Sequence, residues 1–450
     1  MLNLSRHSFS SSSPTDSSKR EAWRWLIAYL TLLCLGLTVA VRQPPFYIPD
    51  EGAHFLRAYE VSRLHIVNAR GSVGTNMPCL DYAVVATKYH LIAWAQTKST
   101  AEQHLPDCTT NTRNTAGAYS FIPYIPAALA MRVAEFLEAT VEHRLIASRA
   151  ASLLVWITLI FVALRGLRSG MMLMGCLVLL PSFFWQLAAV SADGATLAAC
   201  LIYVLIVLRS LQTAQVLPRS VLTQLLLVAT LIGSSKGVYA PLCLFSFALW
   251  NQVRTHNTIF KLALLSLPTV ACLIVFVFFA GLADPSLVYL GNGANPALQI
   301  EHVLRHPLRY MGTVFGSIGD SMNIGFISPS YAIPNTGRGF GITVFALLSC
   351  GTLLMFSSFE ANRKIRLLAA AIAFILCVAV CLPLYLTYNP VAQNFILGLQ
   401  SRYFLPILPM MFIALAFDST KVDWVRKRSY ARWAPLLPLA GLFLACINIP

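Results

Sequence analysis

The feature that most constrains this chain is a series of long apolar runs separated by short basic segments. Several runs approach or exceed the ~18 residues that indicate a membrane-spanning helix. Inside a bilayer the backbone N–H and C=O groups must bond within the protein, and continuous apolar runs achieve this as helices. Only 11% of the 450 residues are charged, against about 25% in soluble domains. The sequence therefore predicts an all-α polytopic membrane protein.

About eleven runs are predicted to span the membrane, with ends accurate to ~2–4 residues. Two of them are short and share the turn Ser234-Ser235-Lys236, which is compatible with a shallow hairpin. In chain order the predicted spans are 25–41, 145–164, 171–190, 195–208, 221–235, 238–250, 262–281, 340–356, 367–386, 403–417 and 434–449.

Lys and Arg residues cluster in alternate loops, and this sets the predicted orientation because cytoplasmic loops carry an excess of them. The alternation places the N-terminus in the cytoplasm. The formal net charge of +15 is spread over these short clusters rather than gathered on one face, so no nucleic-acid partner is predicted. The clusters are Arg165 with Arg168, Arg209 with Arg219, Arg254 with Lys261, Arg363 with Lys364 and Arg366, and Lys421 with Arg426, Lys427 and Arg428.

This orientation holds only if residues 120–138 do not cross the membrane. Pro123 and Pro126 break the start of that segment, and Arg132, Glu135 and Glu138 interrupt its apolar face, so we expect a helix lying at the outer interface. The first transmembrane helix (23–42) is predicted to stay as an anchor, with a cleavable signal peptide as the alternative. The predicted organisation is a disorder-prone cytoplasmic tail (1–22), that helix, an outer loop with interfacial helices (43–144), a helix bundle (145–281), a second outer loop (282–339) and C-terminal transmembrane helices (340–450).

A polar segment directly follows the first span. Asp50 stands where the N-cap of a helix belongs, and Glu51 stands in its first turn. Asp before a short amphipathic helix is usually only a cap, and this interpretation stays open beside a catalytic one. The helix is expected to bury Phe55, Leu56, Tyr59 and Leu64 and to turn Arg57, Glu60 and Arg63 toward water.

With this topology, four polar elements fall on the outer face of the membrane. Taken singly, each has a structural explanation: Asp193 could cap a helix, Lys236 could snorkel, and Arg402 could anchor to lipid headgroups. Taken together, carboxylates and cations on one face indicate a site for a phosphorylated lipid. The elements are Asp50 and Glu51 with His54, the turn at Asp193, Lys236 with Tyr239, and Gln400 with Arg402 and Tyr403.

The motifs Pro-Asp-Glu-Gly-Ala-His, Ser-Ala-Asp-Gly, Lys-Gly-Val-Tyr-Ala-Pro and Gln-Ser-Arg-Tyr-Phe-Leu-Pro occur in this order along the chain. In this ordered set the chain resembles the bacterial domain-of-unknown-function 2142 family of polytopic membrane proteins, which is itself similar to the GT-C glycosyltransferases. The resemblance covers nearly the whole chain beyond the N-terminal tail. One departure is Ser401, where glycine is expected between glutamine and arginine.

The resemblance implies a GT-C-like fold in the bacterial inner (cytoplasmic) membrane, with the site facing the periplasm. It implies an inverting transferase that moves a sugar from a polyprenyl-phosphate donor to a cell-envelope glycan or lipid acceptor. Asp50 and Glu51 match the acidic residues that act as base or metal ligand. A carboxylate base would accept the acceptor hydroxyl proton, while Arg402 and Lys236 would stabilise the leaving phosphate. The residues assigned to substrate binding are His54, Asp193, Lys236, Tyr239, Gln400, Arg402 and Tyr403.

The cofactor stays unspecified, and a divalent metal ion is one candidate, with Asp50, Glu51 and His54 as its ligands. His302 and His306 form a weaker metal signal, since a zinc site normally needs at least three protein ligands.

Cys79 and Cys108 are the only cysteines of the first outer loop, and they could form a disulfide or remain two free thiols. Two other functions stay open: a transporter or flippase of lipid-linked surface polysaccharide, and a non-catalytic assembly factor. The sequence specifies neither the sugar, the acceptor nor the oligomeric state.

Overall fold

The computed structural model describes residues 16–43, 45–46, 48, 50–67, 77–78, 107–108, 115–167, 170–213, 216–283, 290–291, 293–321 and 361–416. Within these ranges the regular structure is helical apart from a pair of two-residue strands, so the all-α prediction is confirmed there. The α-helices are α1 Asp16–Arg42, α2 Glu51–Ser62, α3 Ile125–Phe136, α4 Val141–Arg165, α5 Met171–Val178, α6 Pro181–Leu187, α7 Ala192–Thr213, α8 Arg219–Lys236, α9 Thr258–Leu282, α10 Pro296–Arg305, α11 Pro307–Ser321, α12 Arg363–Tyr388 and α13 Leu408–Leu415. The 3₁₀ helices are Thr115–Ala118, Ile122–Tyr124, Gly237–Gln252 and Ser401–Ile407.

Six helical segments in the described ranges are long and apolar enough to cross a membrane. This agrees with a multi-pass membrane protein, while the predicted count of about eleven is not confirmed by the described residues. The predicted spans 340–356 and 434–449 lie outside the described residues, and 403–417 corresponds to a shorter apolar stretch. The six segments are Ala22–Arg42, Val141–Arg165, Ala192–Thr213, Arg219–Gln252, Thr258–Leu282 and Arg363–Tyr388.

The predicted span 171–190 is wrong as a single helix. It divides into α5 and α6, and Leu180, the second of the two residues between them, has an extended backbone (φ −62°, ψ 128°). Pro181 is the cause, because proline has no N–H to donate and disfavours a helical residue before it. Its fixed φ suits the first turn of α6, where a helix has no need of that donor.

The segment Arg219–Gln252 folds back on itself at Lys236. Lys236 has an extended backbone (φ −145°, ψ 93°), and the start and end of the segment meet where Leu217 N donates to Gln252 O at 2.9 Å. The arms are roughly 27 Å of α-helix and 32 Å of 3₁₀ helix. The predicted hairpin is therefore confirmed, but it is deep rather than shallow. Lys236 lies at its tip.

Helix α7 forms the centre of the bundle. It packs against α4, α6 and both arms of the hairpin, and most of its residues are buried. The outermost helices α1 and α9 instead expose large apolar side chains along much of their length. A helix that is apolar on all sides is stable at such a position when hydrocarbon surrounds it. The bundle thus places the first turn of α7, with Asp193, beside the tip of the hairpin.

A second, smaller apolar core lies between α2, α3 and the start of α4. Phe55 and Leu56 from α2 and Tyr124 and Met131 from the segment 120–138 are buried in it. Helix α3 has 12 residues, a length of roughly 18 Å against the ~30 Å of a bilayer core. A helix of this length cannot cross the membrane. The side of α3 that faces away from this core exposes Leu129, Val133 and Phe136, as an interfacial helix would.

The polar side of α2 differs from the prediction. Arg57 and Glu60 were expected to face water, but they are 1% and 6% exposed and form an ion pair at 2.8 Å. Arg57 also donates from Nη1 to His65 O at 3.1 Å and from Nη2 to Ile66 O at 2.7 Å. The chain leaving α2 folds back over Arg57, and this contact removes both side chains from solvent. Leu64, expected in the apolar stripe, is 80% exposed.

Strands β1 (Met77–Pro78) and β2 (Asp107–Cys108) pair antiparallel, with Met77 opposite Cys108. Cys79 lies outside the described residues, so the disulfide with Cys108 stays a prediction.

Candidate functional site

Four side chains from distant parts of the sequence form one charged cluster at one end of the helix bundle. Asp50 precedes α2, and Asp193 lies in the first turn of α7. Lys236 is at the hairpin tip, and Arg402 is the second residue of the 3₁₀ helix Ser401–Ile407. They are linked in the order Asp50–Arg402–Asp193–Lys236, which we call the charged cluster. Carboxylates and cations alternate along it.

The contacts of the cluster run through Arg402 and Asp193. Arg402 donates from Nη2 to Asp50 Oδ2, and its Nε lies 3.5 Å from Asp193 Oδ2. Lys236 Nζ pairs with Asp193 Oδ1. The side chains of Arg402, Asp193 and Lys236 are 8%, 12% and 12% exposed, whereas that of Asp50 is 56% exposed. Asp50 therefore lies at the mouth of the cluster and the other three lie behind it.

Asp50 occupies the N-cap position of α2, but it does not cap the helix. Its backbone is left-handed (φ 66°, ψ 0°), and its side chain makes no capping hydrogen bond. Asp and Asn are the non-glycine residues that tolerate this conformation best. The capping interpretation of Asp50 is therefore not what the structure shows, since its carboxylate bonds Arg402 instead.

Two opposing influences act on the pKa of Asp50. Burial against the protein raises this pKa, and the charge of Arg402 together with its hydrogen bond lowers it. The attraction prevails, and the pKa of Asp50 lies below its ordinary value. Asp50 is therefore an anion at neutral pH, and a weak base for as long as it is held by Arg402.

Asp193 is held by the close approach of α6 and α7. Its N–H donates to Ser191 Oγ at 2.9 Å, and the first turn of a helix favours a carboxylate. A Cβ atom on the following residue, Gly194, would lie 2.5 Å from Gln186 O. Only glycine fits there, so the Asp-Gly pair of the motif has a packing reason as well as a chemical one.

Tyrosine rings surround the two cations. Lys236 Nζ lies 5.1 Å from the Tyr403 ring centroid and 5.8 Å from that of Tyr119, and Arg402 Cζ lies 5.3 Å from Tyr403. Tyr239 is buried and donates its hydroxyl to Tyr403 O at 2.7 Å, so it fixes the backbone beside Arg402. Tyr119 was missed from the sequence, because it comes from the first outer loop and belongs to no recognisable motif.

His54 lies behind Asp50 as a neutral, buried group. It is 4% exposed, and its Nδ1 is 2.6 Å from Tyr124 Oη. Burial lowers the pKa of His54, and the nearby Asp193 and Asp50 carboxylates offset this only in part, so the pKa falls to about 4. His54 thus offers hydrogen bonds rather than a positive charge at neutral pH.

Glu51, predicted as a catalytic partner of Asp50, has a different environment. Its carboxylate is fully buried and takes two bonds from Arg149, Nε to Oε1 at 2.8 Å and Nη2 to Oε2 at 2.5 Å. Val190 N also donates to Oε1 at 3.2 Å. Arg149 Nη1 in turn bonds Gln43 O at 2.7 Å and Ala40 O at 3.3 Å. This geometry joins the ends of α1, α2 and α7 to α4, and it favours a structural role for Glu51.

Gln400 and the proposed metal ligands complete the predicted site residues. Gln400 precedes Arg402 at the start of its 3₁₀ helix, and its buried Oε1 has no hydrogen-bond partner among the described residues. In the described ranges, no three or more His, Cys, Asp and Glu side chains lie close enough together to hold a metal ion. The candidate pair His302 and His306 therefore gains no third ligand there. Asp50, Glu51 and His54 are each engaged with a different partner.

The fold and the site define a polytopic helical membrane protein with a charged, tyrosine-lined cluster at the ends of its membrane helices. Residues 33–411 match the family model "Predicted membrane protein (DUF2142)", so the chain belongs to this family. All four members of the charged cluster lie within the matched region. No curated protein matches the chain. No solved structure matches it either.

Proposed function

We propose that the protein is an inverting glycosyltransferase that uses a polyprenyl-phosphate-linked sugar at the outer face of a bacterial cytoplasmic membrane. The acceptor is a cell-envelope glycan or lipid. The observation that carries the proposal is the charged cluster, in which two shielded cations and an accessible carboxylate meet at the ends of membrane helices. A lipid-linked phosphate reaches the protein at this depth, with its chain in the bilayer and its headgroup at the surface.

The donor phosphate is bound by Arg402 and Lys236. Arg forms paired hydrogen bonds with phosphate oxygens, and Lys adds a compact positive charge. Their low exposure, 8% and 12%, strengthens their attraction for an anion because little water competes. The rings of Tyr119 and Tyr403 beside Lys236 supply the aromatic surface that is common in ligand sites.

Asp50 is the general base for the acceptor. The acceptor hydroxyl oxygen attacks the anomeric carbon and its proton passes to a carboxylate oxygen of Asp50. The bond between the anomeric carbon and the phosphate oxygen breaks at the same time, and the electron pair leaves with the lipid phosphate. Arg402 and Lys236 stabilise the charge that grows on this leaving group. A single displacement inverts the anomeric centre.

A transporter or flippase fits the geometry less well. Transporters hold their substrates near the middle of the membrane, between repeated halves with interrupted helices. The charged cluster lies instead at helix ends, at the start of α7 and the tip of the hairpin.

Comparison of surface glycans in a deletion strain tests the proposal. The strain is complemented with the wild-type gene, with Arg402→Ala, with Lys236→Ala or with Arg305→Ala. Arg305 is the matched control, since its ion pair with Glu301 is on the surface and its side chain is 72% exposed.

The proposal predicts that wild type and Arg305→Ala restore a sugar which the deletion strain lacks, while the two cluster variants do not. The proposal fails if the deletion leaves glycan structure unchanged, or if both cluster variants restore it at equal protein level.

A further inference from the structure

Arg402 connects the accessible part of the charged cluster to its shielded part. It contacts Asp50 on the exposed side and Asp193 on the buried side. Asp50 therefore covers the part of the Arg402 guanidinium that a ligand entering from solvent would contact first.

We propose that Asp50 is an intramolecular competitor for the anion position on Arg402, and that a phosphate monoester or diester displaces it. The displaced carboxylate is then the base that the acceptor meets. The first half of this proposal concerns anion binding alone, and the second half rests on the proposed function.

Charge balance requires such a displacement. The two carboxylates and two cations of the cluster sum to zero, so an added phosphate leaves one anion too many. A carboxylate released from a cation is stable only where water can solvate it. Asp50 meets this condition at 56% exposure and Asp193, at 12%, does not. The phosphate therefore exchanges with Asp50, while Asp193 continues to hold Lys236.

The backbone allows Asp50 to move without disturbing its helix. The Asp50 side chain makes no capping bond, so its release leaves the start of α2 unchanged. The next residue, Glu51, is fixed by its two bonds from Arg149 and by Val190 N. Rotation of one side chain is thus enough for the exchange.

The exchange couples donor binding to the strength of the base. While Asp50 lies on Arg402, the guanidinium favours its ionised form and makes it a weak proton acceptor. When a phosphate takes its place, Asp50 loses this stabilisation and gains a negative neighbour, and both changes strengthen it as a base. The acceptor hydroxyl is therefore activated only after the donor has bound.

Binding of farnesyl phosphate to the purified full-length protein in lipid nanodiscs tests the competition, with farnesol as a probe that lacks the phosphate. Wild type is compared with Asp50→Asn, Arg402→Gln and the double variant. Asp50→Gly is a second variant that suits the left-handed backbone. Glu301→Gln is the matched control, because Glu301 is also an ion-paired carboxylate, 48% exposed, and removes the same charge.

Both Asp50 variants should bind farnesyl phosphate about fivefold more tightly than wild type. A partly exposed ion pair contributes about 1 kcal/mol, which corresponds to about fivefold in affinity. Glu301→Gln should bind as wild type does. Arg402→Gln should bind more weakly, and Asp50→Asn should give no gain in that background. Farnesol binding should be the same in all variants, and inorganic phosphate should show the Asp50 effect if the headgroup alone is recognised.

Equal or weaker binding by both Asp50 variants overturns the proposal. A gain that persists without Arg402, that Glu301→Gln also shows, or that farnesol shares overturns it as well. Absence of the Asp50 effect with inorganic phosphate overturns displacement by the headgroup. None of these measurements involves sugar transfer, so their outcome and that of the glycan comparison are independent.

Discussion

Replacement of Arg149 by methionine distinguishes a structural role of Glu51 from a catalytic one. Methionine fills a similar volume without charge, so the perturbation is loss of the guanidinium. Glu51 would remain fully buried with one donor, Val190 N at 3.2 Å, in place of three. The carbonyls of Ala40 and Gln43 would lose their bonds from Arg149 as well.

The magnitude follows from this loss of partners. Removing one member of a buried ion pair destabilises a protein by about 3–5 kcal/mol, because the other charge stays buried and uncompensated. Glu51→Gln should be destabilising for the same reason, since it leaves Arg149 buried without an anion. The double variant Glu51→Gln/Arg149→Met should lose less than the sum of the two single losses, because it leaves no unpaired charge.

Unfolding in mixed micelles of increasing SDS content, followed by tryptophan fluorescence, measures these differences. Arg63→Met is the matched control: Arg63 is 40% exposed in its ion pair with Glu135, and such pairs contribute about 1 kcal/mol or less. The interpretation is refuted if Arg149→Met is no more destabilising than Arg63→Met. It is also refuted if the losses of the two single variants simply add.

Three further outcomes are expected. The pKa of His54 falls from 6.5 to about 4 on folding, so between these pH values the unfolded chain binds more protons than the folded one. The free energy of unfolding should therefore decrease by up to roughly 3 kcal/mol as the pH drops from 6.5 to about 4. Thermal unfolding should show this slope in wild type and a flatter one in His54→Gln, and equal slopes would contradict it. Tyr239→Phe should weaken farnesyl phosphate binding a few-fold, since the hydroxyl that fixes Tyr403 O is lost; unchanged binding would assign Tyr239 to packing alone. For orientation, an impermeant thiol reagent on intact cells should label a cysteine at Gln103 and not one at Ala214, and the opposite pattern would invert the topology.

The convergence of the charged cluster was predictable because it depends on topology. Alternation of Lys and Arg places the segments around Asp50, Asp193, Lys236 and Arg402 on one face. Once helices cross the membrane side by side, residues at the same end of the bundle have few places to lie. The order of contacts was not predictable, since it depends on how the hairpin and the 3₁₀ helix Ser401–Ile407 pack around α7.

Glu51 was predicted to be catalytic because it follows Asp50, whereas in the structure its partner is Arg149. Arg149 lies within a predicted span, where a single cation is costly and normally has a counter-ion. This signal was present in the sequence and pointed to a buried acidic partner. The choice of Glu51 over Asp50 needed the structure, because the left-handed backbone at Asp50 turns the two adjacent carboxylates to different partners.

Two errors in the fold have local physical causes. Pro181 within the predicted span 171–190 should have divided it, since proline removes a helix bond and restricts the residue before it. Burial of Arg57 and Glu60 could not be predicted from helix periodicity. It comes from the carbonyls of His65 and Ile66, which lie beyond the end of α2 and bond the guanidinium.

The measurement that tests the central claim most directly is sugar transfer by Asp50→Asn. Asn tolerates the left-handed backbone at φ 66°, and no capping bond is lost. The ion pair with Arg402 is lost, so stability should fall by no more than about 1 kcal/mol and expression should stay close to that of wild type. An amide cannot accept the hydroxyl proton, and transfer should fall by on the order of 10²–10⁴. Transfer is scored as glycan restored in the deletion strain, at protein levels matched to wild type. A catalytic Asp50 predicts a stable variant that does not restore the glycan; wild-type transfer by a well-expressed Asp50→Asn protein would contradict it.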